Sequence, residues 1–150
     1  MNIETKYQGT INIHTENILT FSQGIPAFED EKQFILLPFD EGTPFFVLQS
    51  IKSVNVAFIM MNPFEVVPNY EVKLPDATIE QLEIEKQEDV ATFVVLTVKD
   101  PFEETTANLQ GPIIINANKK KGKQLLLSDT DYQTKHQIFK QAAVTAKEGK

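Results

Sequence analysis

Apolar and polar residues alternate in short runs along the first part of the chain, a pattern that predicts β-strands with one buried face. Such runs cover residues 3–7, 10–14 and 18–21, and Gly9 turns the first run into the second. Denser runs rich in β-branched or aromatic residues follow, which is typical of strands that are largely buried. They occupy residues 34–37, 45–48, 54–61, 92–98, 113–115 and 124–127.

Turn-forming residues separate these runs at about the spacing expected of an all-β sandwich or barrel. We therefore predict a mainly β protein, a small antiparallel β-barrel-like single domain with one or two short helices. No segment of linker composition divides residues 1–136, which form the predicted domain. Apolar residues are sparse beyond this point, so residues 137–150 are predicted to be a frayed helix or a disordered tail.

The segment after Pro75 carries the signals of one short helix. Asp76 or Thr78 is expected to act as the N-cap, and Gln81 would complete a capping box with Thr78. The exposed side of this helix is expected to be acidic. Its acidic residues are Glu80, Glu83 and Glu85.

Composition excludes several classes of protein. Hydrophobic residues make up 41% of the chain, yet no run approaches the roughly 18 apolar residues that a membrane helix needs. The N-terminus lacks a basic stretch followed by an apolar one, so we predict no secretion signal, no membrane association and a cytoplasmic location. The absence of cysteine excludes disulfides, thiolate nucleophiles and Cys-ligated zinc.

The formal net charge is −7, and all 14 basic residues are lysine. Residues 1–100 hold six lysines and sixteen acidic residues, a net charge of −10, whereas residues 101–150 carry +3. An acidic surface repels nucleic acid and anionic lipid and attracts a basic protein surface. The charge therefore favours a protein partner.

A cluster of four lysines lies in the turn of the last predicted hairpin, which spans residues 113–127. This cluster would suit phosphate groups, but its basic area is small for nucleic-acid binding, and the chain has no arginine. We therefore interpret it as a solvated hairpin tip and predict no direct binding of nucleic acid. The four residues are Lys119, Lys120, Lys121 and Lys123.

Candidate catalytic and metal-binding groups are few. His136 together with Asp129 and Asp131 has the composition of a metal site, but such spacings recur by chance in acidic proteins. Neighbouring carboxylates, such as Glu103 and Glu104, would supply acid–base chemistry if two pairs faced each other across a cleft. They lie beside turn signals, however, where acidic residues keep a β surface soluble. We predict no enzyme, no metal site and no cofactor.

Four of the eight prolines precede a phenylalanine. Two of these pairs share one setting, because Asn62-Pro63-Phe64-Glu65 and Asp100-Pro101-Phe102-Glu103 each end a buried run. Proline ends a strand since it has no N–H to donate. The phenylalanine then either plugs the open end of the barrel or stands out as a binding anchor ringed by acids. The rarity of large exposed apolar groups on monomers favours the plug.

Several segments, in order along the chain, resemble the FliW family of bacterial flagellar assembly factors. They are residues 24–28, 34–38, 44–50 and 100–102, and the most specific is 106–116, which is similar to T-x-N-L-x-x-P-hydrophobic-hydrophobic-x-N. The resemblance covers about residues 1–136. It departs at Ala27, where the family's G-x-P-G-F turn has glycine. If that glycine has a positive φ, either Ala27 is strained or the turn differs.

The resemblance implies a compact β-barrel-like monomer that binds two partners, cytoplasmic flagellin and the RNA-binding translational repressor CsrA. Bound to CsrA, such a protein prevents repression of the flagellin message; captured by flagellin, it leaves CsrA free to repress. The acidic surface and the lack of a catalytic constellation agree with this role. The candidate partner-binding residues are Phe28, Phe64, Glu80, Glu83, Glu85, Asp100, Phe102, Glu103, Glu104 and Asn108.

Two other classes of function stay open. One is a generic protein-interaction module with a different partner, which composition does not exclude. The other is a small-barrel ligand-binding protein or enzyme, which needs convergent polar side chains in a cavity of roughly 300 Å³ or more. The strand pattern offers few inward-facing polar residues for such a cavity, so it favours the interaction module over the ligand-binding barrel.

Overall fold

Strands form at or near every predicted position, together with two short strands that the pattern did not reveal. The computed structural model describes residues 1–40, 42–128 and 130–139. Within these ranges the only α-helix is α1 (Asp76–Gln81). The strands there are β1 (Asn2–Thr5), β2 (Gly9–Asn12), β3 (Leu19–Thr20), β4 (Gln33–Pro38), β5 (Phe45–Ser50), β6 (Ala57–Met61), β7 (Val90–Thr97), β8 (Thr106–Ala107), β9 (Ile113–Asn116), β10 (Lys121–Gln124) and β11 (His136–Gln137).

Seven strands close into a barrel in the order β3–β4–β5–β6–β7–β9–β10. All neighbours are antiparallel except β3 and β10, which pair in parallel where Thr20 lies opposite Lys121. Strand β7 is long enough to pair with β9 through its first half and with β6 and β8 through its second half. The prediction of a mainly β, barrel-like fold with a short helix is therefore confirmed.

The barrel interior is filled by aromatic and aliphatic side chains, to which six of the seven strands contribute and β10 does not. Phe21, Phe34, Leu48, Met60 and Ile113 are fully buried, and the first two rings meet edge to face with their centroids 5.2 Å apart. Burying side chains of this size supplies about 1.5–3 kcal/mol each. The core thus forms from the inward residues of the alternating runs.

In the hairpin of β9 and β10, the second strand begins earlier than the apolar pattern predicted. Residues 117–120 form its turn, and β10 ends at Gln124, so the predicted strand at 124–127 was wrong by three residues. Asn116 causes this register, because its buried side-chain Oδ1 accepts hydrogen bonds from the backbone N–H groups of Asn118 and Lys119. Lys121 therefore lies in the strand and not in the turn.

Helix α1 is capped differently from the prediction. Pro75 is the N-cap residue and makes no side-chain capping bond, while Thr78 lies inside the helix and is buried. The predicted capping box is therefore wrong. The other end is fixed by Asn116, whose Nδ2 donates to the Leu82 carbonyl at 2.8 Å and to that of Glu83 at 3.3 Å.

The chain after β10 returns to the barrel through β11, which pairs with β8. Gln137 lies opposite Thr106, and Ile138 packs against a buried cluster that includes Leu96 and Leu109. Residues 137–139 belong to the segment predicted as a tail. The remainder of that predicted tail, residues 140–150, lies outside the described residues, as do residues 41 and 129.

The turn at residues 25–28 contains a strained residue, which is one of the two alternatives that the sequence left for Ala27. Ala27 has a φ of 74°, and the Phe28 N–H donates to the Ile25 carbonyl across the turn at 2.6 Å. A positive φ is the conformation that glycine adopts without a steric penalty. The turn is therefore kept at this position, with an alanine held in the left-handed region.

Candidate partner-binding surface

The three phenylalanines singled out from the sequence lie on the surface. Phe28, Phe64 and Phe102 are 40%, 44% and 42% exposed, so the prediction that Phe64 and Phe102 plug the barrel was wrong. The chain turns outward after each proline, and short 3-10 turns, Pro63–Glu65 and Phe102–Glu104, carry two of the rings away from the interior. In the first turn Pro63 is the buried residue.

Each of these rings rests on a more buried aromatic ring. Phe28 packs on Phe58 with centroids 5.4 Å apart and planes at 79°. Phe64 packs on Tyr70 at 6.1 Å and 71°. Edge-to-face packing fixes one side of a ring and leaves the other exposed. These side chains are therefore preorganised and lose little conformational entropy when a partner covers them.

Tyr70, under Phe64, is itself held firmly. Its hydroxyl donates to the Leu109 carbonyl at 2.5 Å, and its ring packs on that of Tyr132 with centroids 4.6 Å apart. Burial, with a smaller contribution from Tyr132, raises the pKa of the Tyr70 hydroxyl far above its usual value. The hydroxyl is therefore protonated at neutral pH, and it anchors the loop after β6 to the segment before β9.

Phe64 lines an open groove of about 660 Å³. Five of the eleven lining residues are aliphatic, and the polar ones are Lys73, Glu85, Lys86, Gln87 and Thr92. The structure thus brings together two predicted site residues, Phe64 and Glu85, that are far apart in sequence. The aliphatic lining residues are Val72, Leu74, Ile79, Ile84 and Val90.

Phe102 lies in a different setting, among carboxylates. Its ring packs on Phe45 with centroids 5.8 Å apart and on Phe139 at 5.3 Å. Val98, four residues earlier in the chain, is also exposed. The predicted residues Asp100, Glu103 and Glu104 are all exposed in the same loop. We call residues 98–104 the Phe102 rim, an apolar centre with acidic surroundings.

The three glutamates predicted to share a helix face do not share one. Only Glu80 lies in α1, which ends at Gln81. Glu83 follows at a φ of 52° and pairs with Lys121, and this hydrogen bond and charge lower the pKa of its carboxyl group. Glu85 lies beyond it. The prediction of an acidic helix face was wrong because the helix ends about one turn earlier than its sequence pattern allows.

The remaining predicted residues have local structural contacts. Asn108 is half-buried, and its Oδ1 accepts hydrogen bonds from the N–H groups of Gln110 at 3.1 Å and Gly111 at 3.0 Å. The side chain therefore shapes the turn before β9. In the lysine cluster, Lys121 pairs with Glu83 and Lys123 donates to Gln81 at 2.7 Å.

Metal-ligand geometry is absent from the part of the chain that the structure describes, where no three His, Asp or Glu side chains cluster. The set of His136 with two aspartates, which the sequence analysis disfavoured as a metal site, includes Asp129, which lies outside that part. No helix among the described residues is long and apolar enough to cross a membrane.

Sequence reasoning missed the most exposed large apolar residue in the described ranges, Leu126. It was assigned to a buried strand because it lies within Leu125-Leu126-Leu127. An extended run of three leucines on one sheet must direct at least one side chain to the opposite face. That alternation was the available signal.

Comparison with known proteins gives consistent matches. The family model described as FliW protein matches residues 2–138. A protein of Geobacillus kaustophilus (strain HTA426), named flagellar assembly factor FliW, is 53% identical over 139 residues, covering 93% of this chain and 96% of the relative. A protein of the same name from Bacillus subtilis (strain 168) is 48% identical over 138 residues, covering 92% and 96%.

A solved structure described as the crystal structure of the flagellar assembly factor FliW superposes with a TM-score of 0.86. It is 50% identical in sequence, and the match covers 93% of this chain and 97% of that chain.

Proposed function

The chain belongs to the FliW family of flagellar assembly factors, and on this premise we propose that it is a non-enzymatic, monomeric cytoplasmic protein that binds flagellin and antagonises CsrA. Through these two partners it would couple the level of flagellin to flagellin translation. The observation that carries the proposal is the preorganised exposure of Phe64 and Phe102, one on an apolar groove and one in an acidic rim.

Flagellin is assigned to the Phe64 groove. An amphipathic helix binds a groove of this kind by laying apolar side chains spaced three or four residues apart along it. The aliphatic lining accepts that face, while Glu85 and Lys86 are available to the polar face. Phe64 supplies the rigid aromatic contact that dominates many interfaces.

CsrA is assigned to the Phe102 rim. The rim combines three carboxylates with one ammonium, on Lys99, around exposed apolar side chains. Such a surface attracts a basic partner over long range and holds it through the apolar centre. A docked protein of net charge −7 also raises the free energy of bringing RNA phosphates near, which would weaken RNA binding by CsrA.

Stopped-flow association tests the charge assignment. The variant Asp100→Asn/Glu103→Gln/Glu104→Gln is compared with Glu80→Gln/Glu83→Gln/Glu85→Gln, which removes the same charge elsewhere. We expect the first variant to slow association with CsrA by about tenfold at low salt, and the wild-type rate to fall steeply as salt is added. Equal rates for both variants, or a wild-type rate that salt does not change, would contradict the assignment.

A titration with flagellin and a gel shift with the flagellin leader RNA complete the test. Flagellin should bind the wild-type protein, and the RNA should not bind it in the absence of CsrA, because the basic area is small. Tight binding of the RNA alone would overturn the proposed division of roles.

A further inference from the structure

The chain continues the barrel ladder beyond β10 with one side of its backbone unpaired. The N–H groups of Leu125 and Leu127 donate to the carbonyls of Pro112 and Gln110, both at 2.8 Å. Successive residues of an extended chain direct their backbone groups to opposite sides, so the N–H and C=O of Leu126 face away from this ladder. Among the described residues, neither of these groups has a hydrogen-bond partner.

Leu126 is also apolar and accessible. Its side chain is 74% exposed, and it borders a groove of about 600 Å³ that residues 125–128 and 130–132 form with Glu71, Lys73 and Pro75. Three charged residues line this groove, the carboxylates of Glu71 and Asp131 and the ammonium of Lys73. The groove is separate from the Phe64 groove, with which it shares only Lys73.

The opposite wall of the groove, residues 71–75, belongs to none of the strands in the described part of the chain. The backbone N–H groups of Val72, Lys73 and Leu74 donate to none of the residues in the described ranges. The Glu71 N–H donates to the Tyr132 hydroxyl at 2.9 Å. An unpaired strand edge is a template for another strand, which it binds through main-chain hydrogen bonds.

We propose that the edge at Leu126 is a strand-addition site for an extended segment of a partner polypeptide. The added strand would exchange hydrogen bonds with the Leu126 backbone, place an apolar side chain on Leu126 and direct a lysine or arginine toward Glu71 and Asp131. A helix does not satisfy this edge, because its own N–H and C=O groups are bonded internally. The site uses neither the Phe64 groove nor the Phe102 rim, so it stands independently of the proposed function.

Amide hydrogen exchange of the full chain, followed by NMR, tests the site. The probe is the capped pentapeptide acetyl-TVKVT-amide, and its control is the same peptide with N-methyl groups on its three central residues. At millimolar concentration the probe should slow exchange of the Leu126 amide at least about tenfold, because a new hydrogen bond protects that amide. The methylated peptide should give no protection, since it keeps the side chains and lacks the donors.

Two variants distinguish binding of the probe at the Leu126 edge from non-specific binding. Leu126→Lys should weaken probe binding at least about tenfold, since a lysine on an edge strand opposes pairing and also repels the lysine of the probe, while Leu126→Thr, which favours strand geometry, should retain it. Because the Leu126 side chain is exposed, unchanged melting temperatures are expected for both. Equal probe binding by the two variants would overturn the proposal.

Other occupants of the edge give different results. If the Leu126 amide of the free protein is protected only at high protein concentration, a second copy pairs at this edge. If it is protected at every concentration, the chain covers its own edge. Either result overturns the proposal, as does probe-induced protection confined to the Phe64 groove.

Discussion

Replacing Phe64 by alanine distinguishes a binding anchor from a packing residue. A fully buried phenylalanine replaced by alanine reduces stability by about 3–5 kcal/mol. Phe64 is 44% exposed, and removal of its ring leaves an open depression in place of a closed cavity. We therefore expect Phe64→Ala to lower the free energy of unfolding by only about 1–2 kcal/mol, from its lost contact with Tyr70 and the groove.

The effect on flagellin affinity should be larger. A rigid aromatic side chain at the centre of an interface contributes about 2 kcal/mol or more when truncated. That free energy corresponds to a dissociation constant raised about 30-fold. Affinity for CsrA should not change, since its assigned surface is the Phe102 rim.

Denaturant unfolding and calorimetric titration of the same preparations measure both quantities. Phe28→Ala is the matched control, because Phe28 is 40% exposed and packs edge-on against Phe58 at a similar distance, yet it does not line the groove. It should lose similar stability and keep its affinity for flagellin. The reasoning is refuted if the two variants lose flagellin affinity equally, or if Phe64→Ala loses 3–5 kcal/mol of stability and weakens every partner alike.

Three further predictions concern the scaffold. Ala27→Gly should raise the free energy of unfolding by roughly 0.5–1 kcal/mol, because glycine relieves the positive φ at this turn; denaturant unfolding that shows a loss would contradict this. Gly122→Ala should lower it by about 1–3 kcal/mol or more, since the added Cβ would lie 2.6 Å from Cε1 of the buried Phe21 ring; an unchanged melting temperature would show that the ring moves freely. The Ser50 hydroxyl holds the pKa of Glu31 below its ordinary value of 4.5, with desolvation opposing this and Ser53 and Lys52 assisting. The resulting stability is present above that value and is lost as the pH falls through the folded-state pKa, so acid unfolding of Glu31→Gln should show a weaker pH dependence than wild type.

The candidate surface could be predicted only in part. The paired Asn/Asp-Pro-Phe-Glu sequences correctly indicated that β6 and β7 end before them, because proline has no N–H to donate to a strand partner. Whether each phenylalanine faces inward depends on the packing of distant residues, and the structure places Phe64 and Phe102 outside. Asn108 illustrates the same limit. An asparagine that shapes a turn, as this one does, cannot be told from one that contacts a partner by its place in the sequence.

The alternation of apolar and polar residues by itself determined the mainly β class and most strand positions, because a strand exposed on one face requires a period of two. The departure at Ala27 was equally local, since a positive φ follows from the turn and the missing glycine. Only the tertiary structure decided how β3 meets β10 to close the barrel, which grooves form beside residues 71–75, and which edge stays unpaired at Leu126. These features arise from contacts between residues far apart in the chain, and local sequence pattern carries no information about such pairings.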